Sequence, residues 1–484
     1  MSEDILSNRQ HRIAVLVHNS VLRDARVLKQ AKTLSQCGYT VEVHGFSPDA
    51  DGSVKVIPDT DTPVYLNSLT VVPKIKSGSA PYICSLAGAG PARDARAFTS
   101  SKKSRLSLVL RKSLSLSRHL TNKLKSYLRK APQSRHVLRW RFEQIGGALA
   151  CSVAQRPAPD IIHIHDTVAL TAARKLRKHY PNAQIIWDAH EIYEHLAQAS
   201  PHLSQLNRSI ICEAGPYIDR FITISDSFAA FYRRCHGATL PIEPVIIRNA
   251  TDKTAVPPDD GRLRKAAGLP DHQRIALYQG GYATHRGLED LVAASRYLNP
   301  DWTIVLMGWG SIEDTLRKIA AQAALDMPKR LSPAVCFLPG VPHAELSAWT
   351  VGATIGVIPY EDTGLNHRYC TPNKLWEYPN AGLPILASDL VEIRKIVDDW
   401  NVGWCLPKSP TPETIAATIN GLSDGQIAES RRACRSFIEA DNWSVYEKRL
   451  VALYRDLARA KTVAYSGSLT NDRLRALQTA ASVS

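Results

Sequence analysis

The sequence predicts an α/β protein made of two successive parallel sheets, and three observations carry that prediction. Short runs rich in Val, Ile and Leu recur through the chain with helical patterns between them. Polar residues and glycines gather where those runs end, as at the ligand ends of open parallel sheets. The alternation also starts afresh in the second half of the chain, giving two series.

The first run, HRIAVLVHN (11–19), has the near-continuous apolar character of a strand buried on both faces. DARVLKQAKTLSQCGY (24–39) places Ala25, Leu28, Ala31 and Leu34 at helical spacing, with Gly38 as the C-cap. TVEVHGF follows as a second strand, and strand–helix–strand opens a doubly wound sheet. From 73 to about 135 the pattern gives way to Ser, Lys, Arg and Gly and reads as an insertion. A helix from about Trp140 to Ala154 restores order. DIIHIHD (160–166), QIIWDAHE (184–191) and RFITISD (220–226) are further strands, with TVALTAARKLRKHY as a helix between the first two.

The second series begins near 244 with PVIIRN as its first strand, so the two sheets are expected to join at about 236–244. RIALYQGG (274–281), WTIVLMGWG (302–310), AVCFLPG, IGVIPY and LPILAS continue it as strands. GLEDLVAASRYL and HAELSAWTVGA are helices, and a last long helix covers Trp443 to Ala458. The expected division is 1–235, 236–425, C-terminal helices over 426–461 and a loose tail of Ser, Thr and Ala over 462–484.

Composition narrows the class. MSEDILSNRQ lacks the apolar core of a signal peptide, and no apolar run reaches the roughly 18 residues of a spanning helix. Nine scattered cysteines with no C-x-x-C pair read as reduced thiols of a cytoplasmic protein, not as metal ligands. The net charge of +15 is local: the stretch 95–142 holds fourteen Lys or Arg and no acid, which leaves 46 bases against 45 acids elsewhere. A nearly neutral body is not the surface of a protein that coats nucleic acid. Within that stretch Leu106, Leu110 and Leu114, then Leu116, Leu120, Leu124 and Leu128, form apolar stripes on a basic pattern, suited to an anionic membrane surface. A solvated loop and a helix packed on the first sheet remain open for the same stretch.

Candidate site residues follow from the strand ends: His18 and Asn19; His163, His165 and Asp166; His190 and Glu191; Gly280 and Gly281; Gly308 and Gly310. QGGYATHRG joins a glycine turn to Arg286, whose fork of donors matches phosphate oxygens. MGWGS lets a backbone approach a ligand closely. CTPNKLWEY sets Thr371, Pro372, Asn373 and Lys374 at a helix start, where amides and an ammonium suit a diphosphate, and Glu377 one turn deeper, an acceptor pair suited to ribose hydroxyls. A plain i, i+3 salt bridge between Lys374 and Glu377 is the competing reading.

Taken together, RDARVLKQAKTLSQCGYTVEV, PDIIHIHDTVAL, WDAHEIYE, RFITISDSF, VIIRNATD, YQGGYATHRGLEDLV, VLMGWGS and TPNKLWEYPNAGLPILASD resemble, in order, the motifs of family 4 GT-B glycosyltransferases, in the branch with a PNKL-type loop. The resemblance implies two Rossmann-like domains facing across a cleft. It also implies sugar transfer with retention from a nucleotide-sugar (a UDP- or GDP-sugar) to a hydroxyl of a glycan or lipid-linked acceptor, in polysaccharide biosynthesis. On this resemblance Arg286 and Lys374 are the diphosphate cations, and Glu377 is the ribose acid. Gly280, Gly281, Gly308, Gly310, Thr371, Pro372 and Asn373 line the donor site. His190 faces the donor sugar, and Asn19, Asp166 and Glu191 lie on the acceptor side. No metal or other cofactor is expected. The sequence departs from the family in three places: Tyr369 stands eight residues before Glu377, where an acid is usual, leaving Glu361 or Asp362 to replace it; Tyr282 and Ala283 stand where an Arg is usual; HNSVLRDAR replaces a Gly-Gly loop. A nucleotide-sugar epimerase of the same fold and a non-catalytic basic module are the alternatives.

Overall fold

The computed structural model describes residues 11–22, 24–47, 54–68, 135–240, 242–326 and 330–466, the last eight of these by backbone alone. The first sheet has eight strands in the order β3-β4-β2-β1-β5-β6-β7-β8. They are β1 (Arg12–Leu16), β2 (Thr40–Phe46), β3 (Val54–Val56), β4 (Pro63–Asn67), β5 (Ile161–His165), β6 (Gln184–Ala189), β7 (Arg220–Thr223) and β8 (Val245–Ile246). β1 is central and parallel to both neighbours, with Ile13 opposite Val41 and Ile161. Its core residues Ile13 to Leu16 are buried, as a strand covered on both faces must be. The edge pair β3–β4 is antiparallel, and the sequence pattern did not reveal it.

The first helix is Ala25–Gln36, capped by the Asp24 carboxylate, and it ends before Gly38, whose φ of +87° suits only glycine well. Its buried face is Val27, Ala31 and Leu34, rotated slightly from the spacing expected. The helix expected from Trp140 starts at Arg135, and TVALTAARKLRKHY forms two helices, Asp166–Leu170 and Ala173–His179. PVIIRN corrects the expected junction. Its strand, β8, is paired with β7 and completes the first sheet instead of opening the second.

The second sheet has six strands in the order β11-β10-β9-β12-β13-β14, with all five neighbouring pairs parallel. These are β9 (Arg274–Tyr282), β10 (Trp302–Gly310), β11 (Val335–Leu338), β12 (Ile355–Ile358), β13 (Ile385–Ala387) and β14 (Gly403–Cys405). From β9 the chain winds outward through β10 and β11, then returns to β12 and winds the other way. The order therefore reverses between β9 and β12, and the carboxyl ends of those two strands flank a switch-point crevice.

By compactness the chain divides into Met1–Trp187 with Ala199–Asp219, and Asp188–Gln198 with Arg220–Ser484. Residues 188–198 and 220–235 thus go with the second unit, not with the first as the boundary at 235/236 had it. The second unit also holds the helices Pro412–Asn420, Asp424–Ala440 and Trp443–Ser466, the last running into the segment expected to be loose from 462. The basic insertion up to 134 and the tail from 467 lie outside the described residues. Among the described residues all eight cysteines are free thiols, and no helix is long and apolar enough to cross a membrane.

Candidate functional site

The switch-point crevice of the second unit carries two cations. Gly280, near the carboxyl end of β9, has a φ of +124°, a conformation that L side chains rarely adopt. A Cβ built there would lie 3.1 Å from the Lys374 Nζ, so the missing side chain leaves room for that ammonium. Lys374 opens the helix Lys374–Asn380. Its Nζ sits 5.0 Å from the Tyr278 ring centroid and donates to the Tyr360 hydroxyl at 3.4 Å. The Arg286 guanidinium lies 4.2 Å above the Tyr360 ring. Aromatic faces attract cations without neutralising them. Among the described residues neither cation has a carboxylate within ion-pair distance.

Local backbone chemistry brings these groups together. Gly287, at φ of +64°, abuts β12 so tightly that a Cβ would lie 1.8 Å from the Pro359 carbonyl oxygen. His285, itself at φ of +63°, bonds through Nδ1 to Glu361 Oε2 at 2.9 Å, while the Glu361 amide donates to the His285 carbonyl. The Arg286 loop is thereby fastened to the end of β12 that presents Tyr360. Burial pushes the Tyr360 phenol up to about 12, against the opposing pull of Arg286, so it stays a neutral platform at neutral pH.

Glu377 is aimed elsewhere. Its Oε2 accepts from Gln279 Nε2 at 3.1 Å, and Gln279 Oε1 in turn accepts from Thr350 Oγ1 at 2.7 Å. No ion pair joins Lys374 and Glu377, although they stand three residues apart on one helix. Thr371 is buried and its Oγ1 has no partner. The Pro372 and Asn373 carbonyls accept the first amides of the helix. Gly308 and Gly310 have a structural reason: a Cβ at either would lie 1.9 or 2.0 Å from a carbonyl oxygen of β9. Gly281 is exposed, with nothing within 4 Å of the place a Cβ would take.

Glu191 was expected on the acceptor side. The structure gives it partners within the second unit. Asn366 Nδ2 donates to Glu191 Oε2 at 2.7 Å, the Ile192 amide donates to Asn366 Oδ1 at 2.7 Å, and the Tyr232 hydroxyl donates to the Glu191 carbonyl. The Glu191 charge reaches Arg286, Tyr360 and Cys370. Cys370 is pushed up to about 12, chiefly by burial, and is an inert thiol. His190 follows β6, mostly buried, with Nδ1 3.9 Å from Asp188 Oδ1 and its ring edge-on to Tyr193. Of the candidate replacements for the missing acid, Glu361 is bonded to His285 and Asp362 to Arg368.

In the first unit the strand-end residues bond to one another. His18 Nδ1 is 2.8 Å from the buried Asp166 carboxylate, and Asp166 adopts φ of +64°. Asn19 donates to Asp24 and accepts from the Val21 amide, each at 2.8 Å. His163 and His165, two residues apart on one strand face, stack at 4.4 Å.

Sequence reasoning missed Tyr278, Tyr360, Gln279, His285 and Asn366. Tyr278 and Tyr360 carried a faint signal, each an aromatic at the end of a buried run. The Asn366 link to Glu191 spans 175 positions and had none.

Comparison with known proteins bears on this geometry. Residues 273–424, which hold Gly280, Arg286, Lys374 and Glu377, match the family described as Glycosyl transferases group 1. Three solved structures are similar over nearly the whole chain. Sucrose-phosphate synthase from Thermosynechococcus elongatus has a TM-score of 0.63 at 17% identity, covering 93% of this chain and 100% of that one. Anabaena HepE in complex with UDP and glucose has a TM-score of 0.62 at 13% identity, covering 92% and 100%. The α,α-trehalose-phosphate synthase (UDP-forming) from Burkholderia vietnamiensis has a TM-score of 0.61 at 14% identity, covering 92% and 100%. No curated protein sequence matches the chain. The class is thereby defined at the level of fold: the chain has the GT-B fold, and residues 273–424 of its second half match the glycosyl transferases group 1 family.

Proposed function

We propose that the protein is a family 4 glycosyltransferase, of the PNKL branch, that moves a sugar from a UDP- or GDP-sugar to a hydroxyl of a glycan or lipid-linked acceptor. Transfer proceeds with retention and without a metal ion, in polysaccharide biosynthesis. One observation carries the reading: Arg286 and Lys374 stand at the switch-point crevice with aromatic supports and, among the described residues, no carboxylate within ion-pair distance. Two such cations are costly unless an anion joins them, and a diphosphate supplies it. Glu377, one turn along the same helix, then meets the ribose hydroxyls, and His190 faces the sugar. The solved HepE complexes with UDP and UDP-glucose support a nucleotide-sugar as donor.

The chemistry follows from the charge. The acceptor oxygen bonds to the anomeric carbon on the face the nucleotide leaves. The bond from that carbon to the β-phosphate oxygen breaks, its electron pair stays on the diphosphate, and the proton of the acceptor hydroxyl passes to the departing phosphate oxygen on the same face. Fixed cations stabilise that growing charge without reorganising, which is the role a divalent ion would otherwise fill. A thermal-shift panel of UDP- and GDP-sugars tests the donor. A ligand at 100 times its Kd stabilises the native state by about 2.7 kcal/mol; a panel in which no nucleotide or nucleotide-sugar moves the transition refutes the reading. The basic stretch 95–142 is proposed to hold the enzyme peripherally on the inner face of a membrane. Co-sedimentation with anionic liposomes that falls as salt rises is expected, and its absence at low salt removes the membrane from the proposal.

A further inference from the structure

Among the described residues Arg286 has no ion pair, although acids lie in its neighbourhood. Glu361 and Asp362, in the loop after β12, are engaged with His285 and Arg368. Glu191 belongs to the stretch Asp188–Gln198 of the second unit, and its charge reaches Arg286 and Tyr360. A carboxylate and a guanidinium that attract each other close to a bidentate pair when both are free to move. Such a pair would occupy the donors that a phosphate needs. Glu191 and Arg286 do not form it, and the reason lies in how Glu191 is held.

Asn366 lies in the short helix Leu365–Arg368 and is buried. Its Oδ1 accepts the Ile192 amide at 2.7 Å, which fixes the side-chain amide in one orientation. Nδ2 is thereby turned to Glu191 and donates to Oε2 at 2.7 Å. The Tyr232 hydroxyl donates to the Glu191 carbonyl, also at 2.7 Å, and holds the backbone of the same residue. Asparagine suits the position because its amide accepts at one end and donates at the other, whereas aspartate would set a second negative oxygen against the carboxylate. The clamp is close in the chain to the platform under the cation. The ring of His367, the next residue, lies 5.9 Å from the Tyr360 ring, and Tyr360 carries the Arg286 guanidinium at 4.2 Å. We propose that Asn366 is a positioning residue that holds the Glu191 carboxylate off Arg286 and so keeps that guanidinium open to an anionic ligand. The inference rests on the reading of Arg286 as a diphosphate cation and adds the device that keeps it unpaired.

The test is a double-mutant cycle over Asn366 and Glu191, read by calorimetric titration of the full chain with UDP, GDP and inorganic pyrophosphate. Asn366→Ala releases the carboxylate toward Arg286. It is expected to weaken pyrophosphate, and whichever nucleoside diphosphate binds, by about tenfold, within the range of coupling between neighbouring residues. Combined with Glu191→Gln, the same substitution is expected to change affinity by less than about threefold, because no charge is left to pair with the guanidinium. Asn366→Asp keeps the size of the side chain and the acceptor for the Ile192 amide, so it tests the same point without opening a cavity. Alone it repels Glu191 and should match the loss of the Ala variant; with Glu191→Gln it regains a donor opposite its carboxylate and should recover to within about threefold. Unchanged affinity in both Asn366 variants overturns the proposal. A loss of equal size with and without Glu191→Gln also overturns it, and marks Asn366 as support for the fold alone. If the wild-type chain binds none of the three ligands, the diphosphate reading fails and the clamp falls with it, an outcome separate from an uncoupled Asn366.

Discussion

Both sheets end their strands in polar residues, but the two units use them in opposite ways. In the first unit the groups are matched: His18 with Asp166, Asn19 with Asp24, His44 with Ser152. In the second, Arg286 and Lys374 are left with tyrosine faces and, among the described residues, no carboxylate within ion-pair distance. A matched group has spent its hydrogen-bonding capacity on the fold, so its removal should cost stability. An unmatched cation holds capacity in reserve for a ligand, so its removal should cost function and little stability.

The largest effect is expected from the unmatched pair. Lys374→Met and Arg286→Met should each lower single-turnover rates by about 10²–10³, the loss seen when one preorganised donor to a developing oxyanion is removed. Neither should lower the melting temperature by much, because among the described residues neither cation is held in an ion pair that its removal would break. Melting curves and rapid-quench rates on the same preparations check both halves. Wild-type chemistry in either variant would end the assignment of that residue, and a large drop in melting temperature would erase the contrast between the units.

Glu377 lies between the two cases, since one oxygen already accepts from Gln279. Glu377→Ala should weaken donor binding by about 1–3 kcal/mol, the range for hydrogen bonds to a charged group. Unaltered calorimetric affinity with an intact fold takes the residue out of the site. Gln279 is freed in that variant, so Gln279→Ala alone should show a smaller loss.

Much of this was legible in the sequence, for identifiable reasons. β10 was read with its full bounds because a buried run ending in Gly-Trp-Gly has few other readings. Lys374 and Glu377 were found together because a helix start after a buried strand is a local signal. β8 was assigned to the wrong sheet because two residues of strand carry no mark of their partner. The aromatic supports, and the Asn366 tie that brings Glu191 into the field of Arg286, depend on chain crossings that no local pattern encodes. The i, i+3 salt bridge was locally plausible and does not form, because Gly280 leaves Lys374 a place and Gln279 holds Glu377.

On the matched side, His44 gives a pH test. It is fully buried, bonded to Ser152 Oγ at 2.8 Å and stacked on Tyr65, and Arg156 lies over that same tyrosine. Burial first, then the Arg156 charge, lowers its pKa from 6.5 to about 3. The unfolded chain therefore binds a proton that the folded chain refuses. Stability from this group is complete above pH 6.5 and is lost as pH falls from there toward 3, reaching about 2 kcal/mol at pH 5. His44→Asn keeps an acceptor near the Ser152 hydroxyl and removes the titration. Denaturant midpoints between pH 5 and 7 should slope less in the variant, and an identical slope would show that His44 is not the buried neutral group proposed here.

The smallest effect is expected where a matched pair only shapes a loop. Asp24 does two things: Oδ1 accepts the Val27 amide as the cap of the first helix, and Oδ2 accepts from Asn19. Asn19 in turn holds the Val21 amide through Oδ1, and Val21 is a β-branched residue at φ of +67°. Asp24→Ala removes both bonds and should cost about 0.5–2 kcal/mol. Asp24→Asn separates them. Its oxygen can still cap the helix, but an amide now faces the Asn19 amide, and Asn19 cannot turn over without releasing Val21. If the Asn variant is as stable as the wild type, the cap carries the effect; if it matches the Ala variant, the Asn19 link does. In neither variant should UDP or GDP affinity change, and a change would show that the matched residues of the first unit also serve the ligand.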